Sequence, residues 1–307
     1  MPRRDVEFKT GDGVTLRGWF YTPPNSTGKL PCVVLCHGWA SLKEFGLDTV
    51  CERFVTNLPI AALVYDHRSW GSSDAALGQP RQEIIPSFQM SDLQDAITYA
   101  QSLDEVDQGS VGIWGSSYSG GQVLQVAALD KRVKAVISQA PVTDAASAFS
   151  RLMKPEMQAA MSMMFQGDRL ARAAGQAPAT LFVTNLDPSV PSCLSSEEAW
   201  NFYTGHGAKV GDKWKNEVTI RSVEYGRAFN GSAMIEHISP TPLLLVVAKH
   251  DFGGPTDLAL SAYNRALEPK KLTLIDCFHF EMYDGPNFET NIASQIEFLK
   301  ETLCKGK

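Results

Sequence analysis

The sequence contains no long apolar run. Hydrophobic residues make up 44% of its 307 positions, but no stretch approaches the roughly 18 to 20 consecutive apolar residues that a membrane-spanning helix needs. The first residues, Met-Pro-Arg-Arg-Asp-Val, pass directly into charged, alternating sequence without the apolar core of a secretory signal. We therefore expect a cytoplasmic protein that does not cross a membrane.

Basic clusters and paired cysteines are also lacking. The formal net charge is −6, and no basic cluster occurs beyond Arg3-Arg4, which argues against nucleic acid or anionic membrane as a partner. The six cysteines form no Cys-x-x-Cys pair, so we expect reduced, mostly buried thiols. No internal repeat, low-complexity tract or flexible linker is visible. We expect small-molecule or protein partners, no metal and no cofactor.

What the chain does contain is a series of short apolar runs. Residues 6–9 and 14–22 alternate apolar and polar side chains around Gly11-Asp12-Gly13, which predicts an antiparallel hairpin. The later runs do not alternate, as expected of strands buried on both faces. These runs lie at residues 32–36, 61–65, 111–114, 133–138, 243–248 and 272–275.

Helical periodicity separates the apolar runs. The helix patterns lie near residues 46–56, 87–103, 120–129, 256–267 and 289–303. Parallel strands need such helical crossovers, so the order predicts an α/β fold with a mostly parallel sheet flanked by helices.

One interval, residues 145–239, is too long for a single crossover. We expect a core formed by residues 1–144 and 240–307, and a largely helical cap inserted between them. The insertion is rich in methionine and large aromatic residues, namely Met153, Met157, Met161, Met163, Met164, Phe165, Trp200, Phe202, Tyr203 and Trp214. The helical spacing of Met157, Met161 and Met164 is typical of a helix core. It also suits an adaptable apolar ceiling over a substrate pocket, with Met161, Met164 and Phe165 as candidate contacts.

Residues 115–120, Gly-Ser-Ser-Tyr-Ser-Gly, lie between an apolar run and a helix pattern. A serine in such a strand-to-helix turn, with small residues two positions away on each side, is typical of a nucleophile elbow. Ser117 is therefore the candidate nucleophile. Ser119 stands where a second glycine is usual, but its side chain is small and two glycines follow it directly.

A serine hydroxyl becomes a useful nucleophile at neutral pH only with a histidine base and an acid that orients this base. In hydrolases with this elbow, the acid and then the histidine follow the serine along the chain. Asp251, directly after the run 243–248, is the favoured acid, and Asp257 in the next predicted helix is the alternative. His279, after the last apolar run, is the favoured base.

Acyl transfer also requires donors for an oxyanion. His37-Gly38-Trp39 follows the run 32–36, where the backbone N–H of Trp39 can be one donor and that of Tyr118 the second. The charged turn at residues 66–73 follows the next run, and it is interpreted either as a structural turn that shapes the pocket rim or as a substrate contact.

With these motifs in order, the sequence resembles the α/β-hydrolase superfamily over nearly its whole length. Three segments look more narrowly like the fungal polyketide transferase-type hydrolases, relatives of dienelactone-hydrolase-like proteins: residues 37–44 (HGWASLKE), 214–222 (WKNEVTIRS) and 277–280 (CFHF). The resemblance implies an α/β-hydrolase fold and serine-dependent acyl chemistry on polyketide-derived esters or thioesters in secondary metabolism. Phe278, a bulky residue before the histidine, departs from many superfamily members, and we expect it either to narrow the pocket as a substrate contact or to alter the loop that carries His279.

We therefore expect a serine hydrolase (esterase or thioesterase) or acyltransferase in which Ser117, Asp251 and His279 form an acyl-enzyme from a small-molecule acyl substrate, free or bound to a carrier protein. The acyl group, the acceptor and the choice between monomer and homodimer stay open. One alternative is a lyase or cyclase that uses His279 as general base without a covalent intermediate. Another is a binding protein that keeps the fold without the chemistry.

Overall fold

An eight-stranded sheet forms the centre of the computed structural model, which describes residues 3–152 and 155–305. The strands, including those of a smaller sheet, are β1 (Arg3–Lys9), β2 (Thr15–Tyr21), β3 (Leu30–Cys36), β4 (Ala61–Tyr65), β5 (Val106–Ser116), β6 (Val133–Gln139), β7 (Thr180–Thr184), β8 (Ser192–Leu194), β9 (Val218–Thr219), β10 (Leu243–Ala248) and β11 (Lys270–Ile275). The large sheet has the order β1-β2-β4-β3-β5-β6-β10-β11.

The helices follow the strands in the alternation that the sequence predicts. They are α1 (Leu47–Asn57), α2 (Pro86–Ser102), α3 (Tyr118–Leu129), α4 (Ala145–Leu152), α5 (Pro155–Ala173), α6 (Glu197–Val210), α7 (Ile220–Gly226), α8 (Thr256–Arg265) and α9 (Gly285–Thr302). Short 3₁₀ turns occupy Gly211–Lys213, Ile235–Ile238 and Phe280–Met282. Within the described residues, no helix combines the length and the apolar composition that crossing a membrane requires.

The predicted hairpin and the mostly parallel sheet are both confirmed. Strands β1 and β2 pair antiparallel from Arg3↔Tyr21 to Lys9↔Thr15, and β2 pairs antiparallel with β4. Every other pair in the large sheet is parallel. Strand β11 differs from the prediction of full burial, because it is the sheet edge and leaves Leu274 42% exposed.

Helices cover both faces of the sheet, as predicted. On one face, α2, α3 and α8 bury side chains such as Ile97, Val123 and Ala259 against the strands. On the other face, α1 and α9 bury Phe54 and Phe298 in a second apolar cluster. Burial on both faces explains the continuous apolar runs of the central strands, since neither face meets water. None of the six cysteines, all of which lie among the described residues, forms a disulfide; five are buried and Cys193 is partly buried.

The segment from residue 145 to residue 239 contains helices α4–α7 and a three-stranded sheet in the order β8-β7-β9. The sequence patterns did not predict this small sheet. A third apolar cluster joins Phe45 and Trp70 of the core to Val183 and Tyr203 of the segment. Because this cluster is continuous across the expected boundary, the division of the chain into a core and a cap stays a prediction.

The charged turn after β4 is directed into the protein. The Asp66 carboxylate accepts hydrogen bonds from the Lys43 ammonium at 2.5 Å and from the backbone N–H groups of Lys43 and Ser72 at 3.0 and 2.9 Å. Two residues later, Arg68 pairs with the buried Asp92. This burial favours the structural interpretation of the turn, and it ties the loop after β3 to the loop after β4.

We expect Asp66→Asn to lower the free energy of unfolding by about 3 kcal/mol, because Lys43 would keep a buried charge without its main partner. The neighbouring Glu44, whose Oε1 lies 3.1 Å from the same ammonium, limits the loss. Urea denaturation followed by circular dichroism measures the effect. The control is Asp74→Asn, which removes an exposed pair with Arg17 and is expected to cost less than about 1 kcal/mol. Equal effects of the two substitutions would contradict the assignment.

Candidate active site

Ser117 occupies a strained turn between strand β5, which ends at Ser116, and helix α3, which begins at Tyr118. Its backbone has φ 58° and ψ −118°, a region that a side chain rarely adopts unless the surrounding structure enforces it. A Cβ at Gly115 would lie 2.2 Å from the backbone oxygen of Ser119. The small residue at position 115 is therefore required by the close approach of strand and helix, as in a nucleophile elbow.

His279 connects the other two residues of the predicted triad. Its Nε2 lies 3.0 Å from the Ser117 Oγ, and its Nδ1 lies 2.7 Å from the Asp251 Oδ2. Asp251 follows β10 and His279 follows β11, so the three side chains come from the carboxyl ends of strands in one parallel sheet. The structure thus brings together the three residues that the sequence selected.

The hydrogen bonds around His279 define its proton arrangement. Asp251 is buried, and its Oδ1 accepts the N–H of Gly254 at 2.7 Å, which leaves Oδ2 to accept the Nδ1–H of His279. The Nε2 of a neutral imidazole is then free to accept the Ser117 hydroxyl proton. Burial alone would lower the pKa of His279, but the charge and hydrogen bond of Asp251 outweigh it and raise this pKa above its ordinary value.

The alternative acid and the remaining core histidines lie elsewhere. Asp257, on α8, is exposed and pairs with the Arg151 guanidinium at 2.7 Å. His250 is exposed and contacts Asp276 at 2.8 Å. His37 and His67 are buried, and burial lowers the pKa of His37 to about 3. These positions leave Asp251 as the partner of His279.

The loop after β3 lies directly against Ser117. A Cβ at Gly38 would lie 2.9 Å from the Ser117 Cβ and 3.5 Å from its Oγ, so only glycine permits this approach. The next backbone N–H belongs to Trp39, one of the two predicted oxyanion donors. The other, Tyr118, is the first residue of α3, where a backbone N–H has no acceptor within the helix. Their role as donors stays a prediction.

A family model described as the α/β-hydrolase fold matches residues 31–286 of the chain. The chain belongs to the α/β-hydrolase-fold family. This membership confirms the fold class expected from the sequence, and it agrees with the position of the elbow serine between β5 and α3.

Several relatives of this α/β hydrolase match it almost end to end. It is 31% identical to polyketide transferase grgF from Penicillium sp. over 99% of this chain and 98% of the relative. It is 29% identical to a thiohydrolase from Eupenicillium brefeldianum over 99% of this chain and 96% of the relative. The predicted resemblance to the fungal polyketide transferase-type hydrolases is thereby confirmed.

Two solved structures are similar over their full length. The crystal structure of the α/β hydrolase GrgF from Penicillium sp. sh18 superposes with a TM-score of 0.84 at 28% identity, covering 99% of this chain and 100% of that one. The structure of DcsB in complex with its substrate analogue gives a TM-score of 0.87 at 25% identity, with the same coverage of both chains.

The four predicted substrate contacts of the hydrolase lie in different environments. Met164 lines an open cavity of about 570 Å³ in the segment 145–239, together with residues such as Phe182 and Pro191, whereas the triad residues do not line it. Met161 packs, partly buried, against the third apolar cluster, and Phe165 is buried beneath the Arg227 guanidinium. Substrate contact by these side chains stays a prediction.

Phe278 lies on the outer surface of the loop that carries His279. Its ring is 44% exposed and lies near the rings of His250 and Phe252, with centroids 5.5 and 6.5 Å away.

Two further methionines between residues 145 and 239 were singled out by their helical spacing or composition. Met153 lies outside the described residues, and Met157 lies on α5 with Met161, Met163 and Met164.

Ser119 has a function that the sequence analysis missed. Its buried hydroxyl lies 2.6 Å from the carbonyl oxygen of His37, 2.7 Å from the Gln122 Oε1 and 3.2 Å from the His67 Nε2. The loop after β3 is thus tied at His37 to the first turn of α3 by the residue that replaces the usual glycine. The departure from the elbow pattern was the signal that could have pointed to this role.

We expect Ser119→Ala to lower the free energy of unfolding by about 2 kcal/mol, because the substitution removes the one hydroxyl proton that the buried His37 carbonyl and Gln122 Oε1 share. Chemical denaturation measures the change. Ser162→Ala is the matched control, since the exposed Ser162 hydroxyl donates to the carbonyl of Gln158 in its own helix. A Ser119 variant as stable as this control would show that the buried hydroxyl contributes nothing.

Proposed function

We propose that this α/β hydrolase is a serine-dependent acyl hydrolase or acyltransferase that acts on a polyketide-derived ester or thioester through an acyl-enzyme on Ser117. The observation that carries the proposal is the hydrogen-bonded series from Asp251 through His279 to the Ser117 Oγ. A buried carboxylate, an imidazole and a hydroxyl in this order match the requirements of nucleophilic acyl transfer.

The proposed reaction begins when the Ser117 Oγ attacks the acyl carbonyl carbon and its proton passes to the His279 Nε2. Asp251 holds the imidazole through Nδ1 and stabilises the imidazolium that forms. The N–H groups of Trp39 and Tyr118 stabilise the oxyanion, each contributing about 3 kcal/mol to the transition state. Collapse of the intermediate expels the alcohol or thiol, which takes the proton from His279.

The second half of the reaction determines whether the enzyme is a hydrolase or a transferase. His279, neutral again, removes a proton from water or from an acceptor hydroxyl, and the resulting oxygen nucleophile attacks the acyl-enzyme. The bond to the Ser117 Oγ then breaks, the proton on His279 returns to this oxygen, and an acid or a new ester is released. The names of the relatives, which include thiohydrolases, polyketide transferases and an acyltransferase, support an acyl chain of polyketide origin. A small acyl molecule, free or bound to a carrier protein, is the proposed partner.

We expect Ser117→Ala to abolish labelling by a fluorophosphonate and to lower turnover of an N-acetylcysteamine acyl thioester by at least about 10³-fold. Mass spectrometry of the peptide that contains residue 117 locates the label, and rapid-quench analysis detects the acyl-enzyme. Ser102→Ala, at an exposed helix end, is the control. Unchanged turnover in Ser117→Ala, or turnover without an acyl-enzyme, would favour the non-covalent lyase or cyclase instead.

We expect Asp251→Asn to lower kcat by about 10³- to 10⁴-fold, because an amide neither stabilises the imidazolium nor holds the required tautomer. Asp257→Asn, in which the exposed pair with Arg151 is lost, is expected to leave kcat near the wild-type value. Steady-state kinetics on a p-nitrophenyl ester compare the two variants. A larger loss in Asp257→Asn than in Asp251→Asn would reverse the assignment of the acid.

A further inference from the structure

Helix α6 lies in the insertion, but its first two turns contact both loops that carry the proposed acyl chemistry. Glu198 contacts the loop of His279. Tyr203, little more than one turn later, donates its hydroxyl proton to the carbonyl oxygen of Trp39 at 2.5 Å. A single rigid element therefore holds the base and the oxyanion loop relative to each other.

The contact of Glu198 is made with the residue directly after the base. The Glu198 carboxylate accepts the backbone N–H of Phe280, and Phe280 begins the 3₁₀ turn Phe280–Met282. The backbone N–H of the first residue in a helical turn has no acceptor within that turn. His279 precedes the turn and provides no side-chain cap, since its ring is bonded to Asp251 and Ser117. Glu198 thus supplies the acceptor that the loop itself lacks.

Aromatic packing fixes the helix on the same loop. The ring centroids of Phe202 and Phe280 lie 4.5 Å apart, and those of Tyr203 and Phe280 lie 5.7 Å apart. On its other side, the Phe280 ring packs 4.8 Å from the His279 imidazole. Glu198 and Phe202 are four residues apart and share a helix face, so this face presents a carboxylate and a ring to the loop together.

We propose that Glu198 is a positioning residue for His279, fixing its loop through Phe280 and stabilising the imidazolium with a second negative charge beside that of Asp251. The inference rests on the proposed function, because it assigns to the insertion a part in the same proton transfer. It extends that function by making helix α6 a component of the reaction machinery.

The titratable groups around His279 are few. Asp251 approaches from the turn after β10, Ser117 from the elbow and Glu198 from α6. On the loop of His279 itself lie Cys277, Glu281 and Tyr283. Burial raises the pKa of Cys277 to about 11, and it also raises the pKa of Tyr283 above its ordinary value. Both groups are therefore neutral near pH 7. The Glu281 carboxylate accepts the N–H of Phe278 at 2.8 Å.

The electrostatic interaction between Glu198 and His279 agrees with the geometry. Burial raises the pKa of the half-buried Glu198, while the Phe280 N–H and the nearby His279 oppose this shift. In turn, the charge of Glu198 adds to that of Asp251 in raising the pKa of His279. Removing the Glu198 charge is therefore expected to lower the pKa of His279, so that the neutral base persists to lower pH.

The test compares Glu198→Gln, which keeps an oxygen acceptor for the Phe280 N–H but removes the charge, with Glu198→Ala, which removes both. Glu197→Gln is the matched control, because Glu197 is exposed in the same helical turn. Two readouts are used for each variant. One is the NMR titration of the His279 imidazole in a Ser117→Ala background, and the other is the pH dependence of fluorophosphonate labelling in protein that retains Ser117.

We expect Glu198→Gln to lower the pKa of His279 by about 0.5 to 1 unit and to shift the acid limb of the labelling profile by the same amount. Glu198→Ala is expected to show this shift and also a labelling plateau about 10-fold lower, because the loop loses its anchor. Glu197→Gln is expected to match the wild type in both readouts.

Coincident titration curves for wild type and Glu198→Gln would overturn the proposal, as would an equal shift in Glu197→Gln. If Glu198→Ala does not fold, the isosteric glutamine variant still decides the result. Failure of Ser117 to react with the fluorophosphonate would contradict the proposed function instead, while the NMR titration would continue to report whether Glu198 acts on His279.

Discussion

The hydrogen bond between the His279 Nε2 and the Ser117 Oγ joins residues that are 162 positions apart in the chain. It forms only because β5 and β11 are parallel strands of one sheet and end at the same edge. The strained backbone at Ser117 is the second requirement, since it directs the hydroxyl away from the sheet toward the imidazole. Much of the surrounding structure can be understood as support for this contact.

Beneath the contact, a buried polar network connects the elbow to the loop of His279. The Ser116 hydroxyl bonds the Tyr283 hydroxyl and accepts a hydrogen bond from the Gln139 amide at 3.0 Å. Gln139 in turn accepts from Asn291 at 2.7 Å, and Asn291 donates to the carbonyl of Met282. Fully paired networks of this kind restrict buried groups to one arrangement, because any displacement leaves a polar atom without a partner. The network therefore holds the loop of His279 at Met282 and Tyr283, while α6 contacts the same loop at Phe280.

The sequence patterns predicted the sheet, its flanking helices and the residues of the triad because each depends on local chemistry. Short apolar runs require burial on both faces, and the elbow requires small residues beside Ser117. The residues that support the site from a distance left no comparable pattern. Glu198 is one of two adjacent glutamates at an ordinary helix start, and only the packing of α6 distinguishes it from Glu197. Likewise, the bond from Tyr203 to Trp39 depends on how the insertion folds back, which side-chain periodicity does not encode.

The third apolar cluster has a consequence for how such enzymes diverge and can be recombined. Residues 145–239 share this cluster with Phe45 and Trp70, and the Trp214 indole donates to the carbonyl of Ala40 at 2.8 Å. This segment and the rest of the chain therefore meet in a continuous interior. A hybrid that exchanged residues 145–239 alone between relatives would inherit mismatched halves of that interior. Grafting of this segment between relatives must therefore carry the loop after β3 and the loop of His279 along with residues 145–239.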